Sequence, residues 1–415
     1  GGSGTCAAPT PTPTPAATPA PGNTSLIISE FRLRGPNGSN DEYIEIYNNS
    51  NSAVNVLATD GSGGFAVVAS DGLTRFVIPN GTIIPARAHF LGVNSLQYSL
   101  GGYPAGSGAT ATGDATYTLG IADNLGLAIF KTDNPANFNL ANRLDAVGAT
   151  SVANALFREG AGLPPLVAFS IDYAWVRKTP SGGVGAGVAQ DTNNNSVDFR
   201  FVDTNGTSAG AGQRLGAPGP ENLSSPGHLN TGSSIAINLL DSSVSSGAFP
   251  NFVRNFSSDP ANNSSFGTID VRRRLTNSTG FPITRLRVRL IDVTTFPAPS
   301  GTADLRLRSS STILVPIGGG LSQQVRGTTL EQPPNQANGG GVNSTVSANT
   351  VQLATPLNNG SSINLRFLFG VQQQGNFSYC AVIETVPFSN STVTCFSGNT
   401  NQSSATGPRP RGEEQ

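Results

Sequence analysis

The chain has 415 residues, too many for one ordinary domain, and a formal net charge of −1, so no global field draws it to nucleic acid or to an anionic membrane. Charged residues make up 12%, about half the usual share, while 37% hydrophobic residues and 50 glycines suffice for a normal core. No apolar stretch approaches the roughly 20 residues that span a bilayer, so no membrane span is expected. Ser, Thr, Asn and Gly must cover the surface, and of 24 basic residues only Lys131 and Lys178 are lysines.

Residues 1–22 form a Pro/Thr-rich stalk in which "AAPTPTPTPAATPAPG" has polyproline II character. Thr10, Thr12, Thr14 and Thr18 are candidate O-glycan acceptors by composition; the alternative is an unmodified stiff tether. Hydroxyl-rich, lysine-poor sequence behind such a stalk reads as exported to the cell surface or medium, with a signal peptide removed. Cys6 is the odd one of three cysteines and suits an intermolecular bridge. Ser3-Gly4-Thr5 before it lacks the apolar residue that a lipid-anchor signal needs.

Residues 23–223 alternate short β-rich runs, such as "SLIISEFRL", "EYIEIYN", "GLAIFKT" and "FSIDYAWVRK", with Gly/Asn/Asp/Pro turns. Only "VANALFREG" reads as a short helical turn. The pattern predicts an antiparallel β-sandwich. Glu30, Asp41, Glu42 and Glu45 crowd its start, and their role decides between catalysis and scaffold. Strand alternation in "EYIEIY" buries Ile44 and Ile46 and turns Tyr43, Glu45 and Tyr47 outward. A catalytic carboxyl pair needs one member with a raised pKa, and an outward Glu45 lacks the apolar pocket for that. Glu30 and Glu42 flank a turn, where they can accept backbone hydrogen bonds. The cluster reads as a sandwich rim that packs against another surface.

Two other features of this region carry candidate chemistry. "DTNNNSVDF" offers calcium-type oxygens at Asp191, Asn193, Asn195 and Asp198, but without the Gly at the sixth position and the Glu at the twelfth of a calcium loop. An Asx-turn loop closed by its own side chains is the competing reading. His89 lies in a strand pattern and His228 in the next segment, so neither a catalytic triad nor a zinc spacing is expected, and no cofactor is assigned. "SGGVGAGVAQ" leads into no helix and is a loop, not a phosphate cradle.

Residues 224–233, "SSPGHLNTGS", read as a linker, and 234–388 as a second sandwich of about seven strands, immunoglobulin-like by its turn spacing. In "TRLRVRLI" the alternation places Leu286, Val288 and Leu290 inward and Arg285, Arg287 and Arg289 outward. Arg272 and Arg274 of "DVRRRL" and Arg306 and Arg308 of "DLRLRS" join them if the strands are neighbours. Seven guanidiniums on one face need anions, solvent or a partner surface, because like charges opposite one another weaken strand pairing. Arginine suits carboxylate and sulfate, so the alternatives are a solvated face, a contact surface for another subunit, or one for acidic polysaccharide. Cys380 and Cys395 flank "AVIETVPFSNSTVT", and a hairpin folded at its midpoint would bring the sulfurs together as a disulfide. Residues 389–415 are a polar tail whose "STVTCFSG" could add as a strand to a neighbour's sheet edge.

The run from "ISEF" through "NDEYIEIYN", together with "QDTNNNSVDFRF" at 190–201 and "LGAPGPEN" at 215–222, resembles the lamin tail domain family as found in exported bacterial proteins. The whole chain resembles two-module surface proteins of Acidobacteria-type bacteria. The resemblance implies an immunoglobulin-like sandwich used for adhesion, anchoring or assembly, and brings no catalytic residues. The expectation is therefore an all-β chain of two immunoglobulin-like sandwiches in tandem. It would be a non-enzymatic structural subunit of an extracellular assembly or filament, meeting copies of itself or other surface proteins. A surface adhesin or carbohydrate-binding protein is the alternative, weakened by an aromatic content of 7% with a single Trp.

Overall fold

The computed structural model describes residues 26–403 apart from 104–109, 167–169, 183–185, 207–212, 230–233, 318–319, 332, 334–335 and 349. Cys6 and the stalk threonines Thr10, Thr12, Thr14 and Thr18 lie outside the described residues. The chain is all-β in character, as its turn-punctuated runs predict. Helical structure among the described residues is limited to single turns, one of them Ala155–Phe157 in the segment expected to be helical. None is long and apolar enough to cross a membrane.

A seven-stranded sheet is ordered Arg214–Leu215, Phe199–Asp203, Tyr173–Arg177, Leu26–Arg32, Tyr43–Asn48, His89–Asn94 and Ala115–Tyr117. A four-stranded sheet, Arg143–Val147, Leu127–Phe130, Gly64–Ala69 and Thr74–Pro79, closes over one of its faces. Ile28, Ile44, Ile46, Phe90, Trp175 and Phe201 from the first sheet share one core with Phe65, Val67, Phe76, Ile78 and Ile129 from the second. Alternate positions thus supply the apolar face, as strand geometry requires.

Downstream, a five-stranded sheet is built on Thr268–Asn277, Ser362–Gln373 and Asp304–Arg308, flanked by Ile235–Leu239 and Phe252–Asn255. A six-stranded sheet is built on Ile283–Val293 and Asn376–Val386, with Thr345–Ser347, Thr394–Asn399, Thr329–Leu330 and Gln352–Leu357. Val288, Leu290, Tyr379 and Ile383 meet Leu275, Leu307, Leu365 and Phe369 between these two sheets. The same continuous core takes in Tyr43, Leu91, Val93, Ala174 and Val202 from the seven-stranded sheet. The molecule is therefore a stack in which the six-stranded sheet faces the second face of the seven-stranded one.

Residues between the two halves are stitched into this stack. Gly227 exchanges backbone hydrogen bonds with Thr385, and His228–Leu229 runs parallel to Ser389–Asn390. The Thr394–Asn399 strand, expected to seek a neighbour's sheet, pairs instead with Asn376–Val386 of its own chain. That register sets Cys380 directly opposite Cys395, and the two form the disulfide that the hairpin symmetry predicts.

Candidate functional site

The strand parity expected for "EYIEIY" holds, but the outward face does not meet solvent. Tyr43, Glu45 and Tyr47 all lie on the face of the seven-stranded sheet that the six-stranded sheet covers, and Glu45 is only 3% exposed. On the covering sheet the parity of "TRLRVRLI" also holds, turning Arg287 and Arg289 toward that face, where Arg287 is 1% exposed. Glu30 and Glu45 of the acidic group therefore face Arg287 and Arg289 across the seam, whereas Asp41 pairs with Arg32 and Glu42 accepts from Asn94 at 2.9 Å and from the Ile121 N–H at 2.6 Å.

The contacts form a closed ring of charge. Glu384 stands directly across from Arg287 in the strand pair and binds Arg287 Nε at 2.7 Å and Arg289 Nε at 2.8 Å. Glu221 completes the ring, its carboxylate on Arg287 Nη2 and, at 3.0 Å, on Arg289 Nη2. Its backbone N–H donates to Glu45 Oε2 at 2.7 Å, and Ser29 Oγ donates to Glu45 Oε1 at 2.5 Å. From Arg289 the network continues through Asn343, whose Oδ1 accepts from Nη1 at 2.7 Å and whose Nδ2 donates to Glu30 at 2.9 Å. Glu30 also accepts from the Tyr43 hydroxyl at 2.5 Å and from Gly219 N–H at 2.7 Å. Asn343 has a left-handed backbone (φ 65°), a conformation that Asn tolerates better than most residues.

Both histidines reach this seam. His89 Nε2 lies 3.2 Å from Glu221 and 3.8 Å from Glu45, and its ring packs on Tyr47 at 4.8 Å. His228 Nε2 is 3.1 Å from the Gly187 carbonyl. A cavity of about 80 Å³ lies among Glu45, His89, Glu221, His228, Arg289 and Glu384. It has room for two or three waters at about 30 Å³ each, well below the roughly 300 Å³ at which ligand pockets begin.

The electrostatics follow from burial and pairing. Desolvation opposes charge on Glu384, but the Arg289 and Arg287 guanidiniums outweigh it and hold the carboxyl down at about 2. Burial raises Glu30 despite Arg289, and raises Glu45 well above the carboxylate range with help from the Glu30 charge. Burial, then Arg289, lowers His89 to about 3, and burial lowers His228. Four carboxyls thus face two guanidiniums with the imidazoles neutral, and the surplus acids, Glu30 and Glu45, are the ones that burial favours as protonated. No family model and no curated protein matches the chain.

The remaining predicted residues divide. Arg285 donates to the Ser224 carbonyl at 2.6 Å at the edge of the seam. Arg272, Arg274, Arg306 and Arg308 belong to the five-stranded sheet, so the seven guanidiniums do not share one face. Each uses a nearby acceptor: Arg272 binds Asp270 at 2.8 Å and Arg306 binds Asp304 at 2.7 Å, both two residues away. Arg274 donates to Asn364 at 3.1 Å and Arg308 to Ser264 at 2.6 Å. Neighbouring acids for Arg272 and Arg306, and uncharged side-chain oxygens for Arg274 and Arg308, take the place of an outside partner.

Of the calcium-type residues, Asp198 accepts from Thr192 N–H at 2.8 Å, Thr192 Oγ1 at 2.8 Å and Gln190 at 3.1 Å, closing its own loop. Asn195 Oδ1 accepts the N–H groups of Gly148 and Glu159, and Asn193 occupies a left-handed turn position. These four do not converge as a ligand set. Asp191 points instead toward Asp145 and Glu159.

Glu221, Glu384, His228 and Asn343 were not singled out as partners by sequence reasoning. Glu384 alone carried a usable signal: in "YCAVIETVP" it is an acid inside an apolar strand, which calls for a buried cation. Glu221 closes the "LGAPGPEN" piece, but nothing local ties it to Arg287.

Proposed function

We propose that this chain is a non-enzymatic structural subunit of an extracellular or cell-surface assembly, built from a lamin-tail-like β-sandwich and a second immunoglobulin-like sandwich and carried on a glycan-bearing stalk. One observation carries the reading: Arg287 and Arg289 are held by Glu384 and Glu221, and Glu30 and Glu45 by neighbouring hydroxyl and N–H groups, around a space of a few waters. Buried ion networks of this kind fix one orientation of two sheets and add rigidity rather than turnover. Rigid, lysine-poor sandwiches with one odd cysteine in the stalk suit a repeating extracellular unit joined to copies of itself or to other surface proteins. Electron microscopy and sedimentation of the full chain test this: regular polymers or defined oligomers are expected, and a stable monomer at high concentration overturns it.

An adhesin or carbohydrate-binding reading is favoured by one other feature. A surface groove of about 570 Å³ is lined by Arg34, Ser39, Asn40, Asp123 and Asn124, polar groups of the kind that bind hydroxyls. Arg34 and Asp123 already pair there at 3.0 Å, and no aromatic side chain among the described residues lines the groove. A glycan array covering neutral and acidic sugars separates the readings, since submicromolar binding by a monomer selects this one.

A further inference from the structure

Where the Arg143–Val147 strand meets the edge of the seven-stranded sheet lies a second buried group of acids, joined to it through Ile28 and Arg177. Asp145 belongs to the Arg143–Val147 edge strand, Glu159 to the turn after Ala155–Phe157, and Asp191 to the loop preceding Asn195–Asp198. One carboxylate oxygen from each lies within 4.8 Å of the others. Asp145 and Glu159 are nearly sealed from solvent at 1% and 5% exposure, whereas Asp191 is exposed and opens the cluster to the outside.

Half of each buried carboxylate is accounted for. Asp145 Oδ2 accepts from Ile28 N–H and from Arg177 Nη2, both at 2.6 Å. Glu159 Oε1 accepts from Arg143 Nη2 at 2.9 Å. The other halves, Asp145 Oδ1 and Glu159 Oε2, are buried with no hydrogen-bond donor among the described residues. Arg177 Nη1 extends to Asp191 at 3.3 Å and to Asp198 at 3.7 Å. Four carboxylates, Asp145, Glu159, Asp191 and Asp198, therefore share two guanidiniums, Arg143 and Arg177. Two negative charges remain, which is the charge of one divalent cation with opposite sign.

We infer that Asp145, Glu159 and Asp191 form a calcium site, with the two donorless oxygens and the solvent-facing Asp191 as its protein ligands. All the donors are carboxylate oxygens, which select a hard cation over zinc or copper. Calcium accepts irregular oxygen sets completed by water, whereas magnesium demands a near-ideal octahedron. The exposed Asp191 provides the entry path that such a site needs. Without a cation, burial and then the Asp145 charge push Glu159 up to about 8, so the competing occupant of the space is a proton shared between two carboxyls.

The test is titration of the chelator-stripped full chain with calcium by calorimetry, alongside thermal unfolding in calcium and in chelator. One calcium per chain is expected, with a rise in melting temperature of about 3 °C or more at saturating calcium. Asp191→Asn, an exposed change that leaves the fold intact, is expected to weaken binding at least tenfold. Glu159→Gln is expected to abolish it, and Asp60→Asn, at an exposed carboxylate that accepts from Ser62, Thr132 and Asn137, to leave it unchanged. No calcium heat and no melting shift in the unaltered chain would assign the space to the shared proton and overturn the site. Binding that survives Asp191→Asn and Glu159→Gln would place the ion elsewhere and overturn it equally.

Discussion

The seam between the stacked sheets and the Asp145–Glu159–Asp191 cluster are both buried gatherings of acids and arginines, yet they reach neutrality differently. In the seam two arginines from one strand meet two carboxylates from distant segments, and every guanidinium has an acid on two sides. In the loop cluster the arginines cover one oxygen of each buried acid and leave the other facing a like-charged neighbour. Strands explain the difference. Antiparallel pairing sets Arg287 and Arg289 two residues apart on one face, in reach of Glu384 across the ladder. Glu159 and Asp191 come from loops, which impose no such spacing, so they converge on Asp145 of an edge strand with fewer cations than acids.

The largest effect that separates the two regions should come from Glu384→Gln. It leaves two buried guanidiniums short of their shared acid and should cost about 3–5 kcal/mol in denaturant unfolding, followed by Trp175 fluorescence. Removing the Cys380–Cys395 bridge by a double serine substitution should cost about 3 kcal/mol in the same assay, from the freedom regained by the loop of sequence separation 15. That loss should be independent of the seam and add to the first.

Acid should attack the seam next. Glu384 is depressed from 4.5 to about 2, so its contribution is complete above pH 4.5 and disappears as pH falls through 2. His89, depressed from 6.5 to about 3 by burial and Arg289, loses its contribution over pH 6.5 to 3. Glu30 and Glu45 are shifted the other way and cost stability as pH rises above the carboxylate range. With Arg287, Arg289, Glu221 and His228 facing these groups, stability should fall by about 2–4 kcal/mol between pH 6 and pH 3. An acid limb of equal slope in Glu384→Gln would remove Glu384 as a contributor and leave the limb to His89. The smallest effect is expected for Glu159→Gln in chelator. There an amide replaces a carboxyl that burial already holds near neutral, and the change should stay within about 1 kcal/mol of the parent. The contrast with Glu384→Gln, same chemistry and opposite environment, is the sharpest comparison of the two regions.

Local pattern was a good guide wherever one strand carried the information. Alternation located Ile44, Ile46, Leu286, Val288 and Leu290 in the core and named the opposite faces correctly. Turn residues separated the strands, and the spacing of Cys380 and Cys395 around a hairpin midpoint anticipated their bond. Pattern failed where exposure was inferred from parity. A strand covered on both sides keeps a polar second face when another sheet supplies the counter-charges, and "outward" then means toward the partner sheet rather than toward water. His228 was read as linker for a related reason: Pro and Gly around it mark irregular backbone, but carry no sign that the segment lies against the Thr385 strand.

By itself, the amino-acid order determined that this protein is a chain of β-strands, which side of each strand is apolar, and which residues bear its scarce charges. Those properties depend on neighbours two residues apart. Tertiary structure alone decided that the charged faces of two distant strands close on each other, that Glu221 and Glu384 complete the ring, and that Asp145, Glu159 and Asp191 meet with two oxygens unmatched. Pairing of charges so far apart in the chain, Arg287 with Glu384 at a separation of 97 among them, depends on which strands become neighbours and how sheets stack, and no local spacing encodes that.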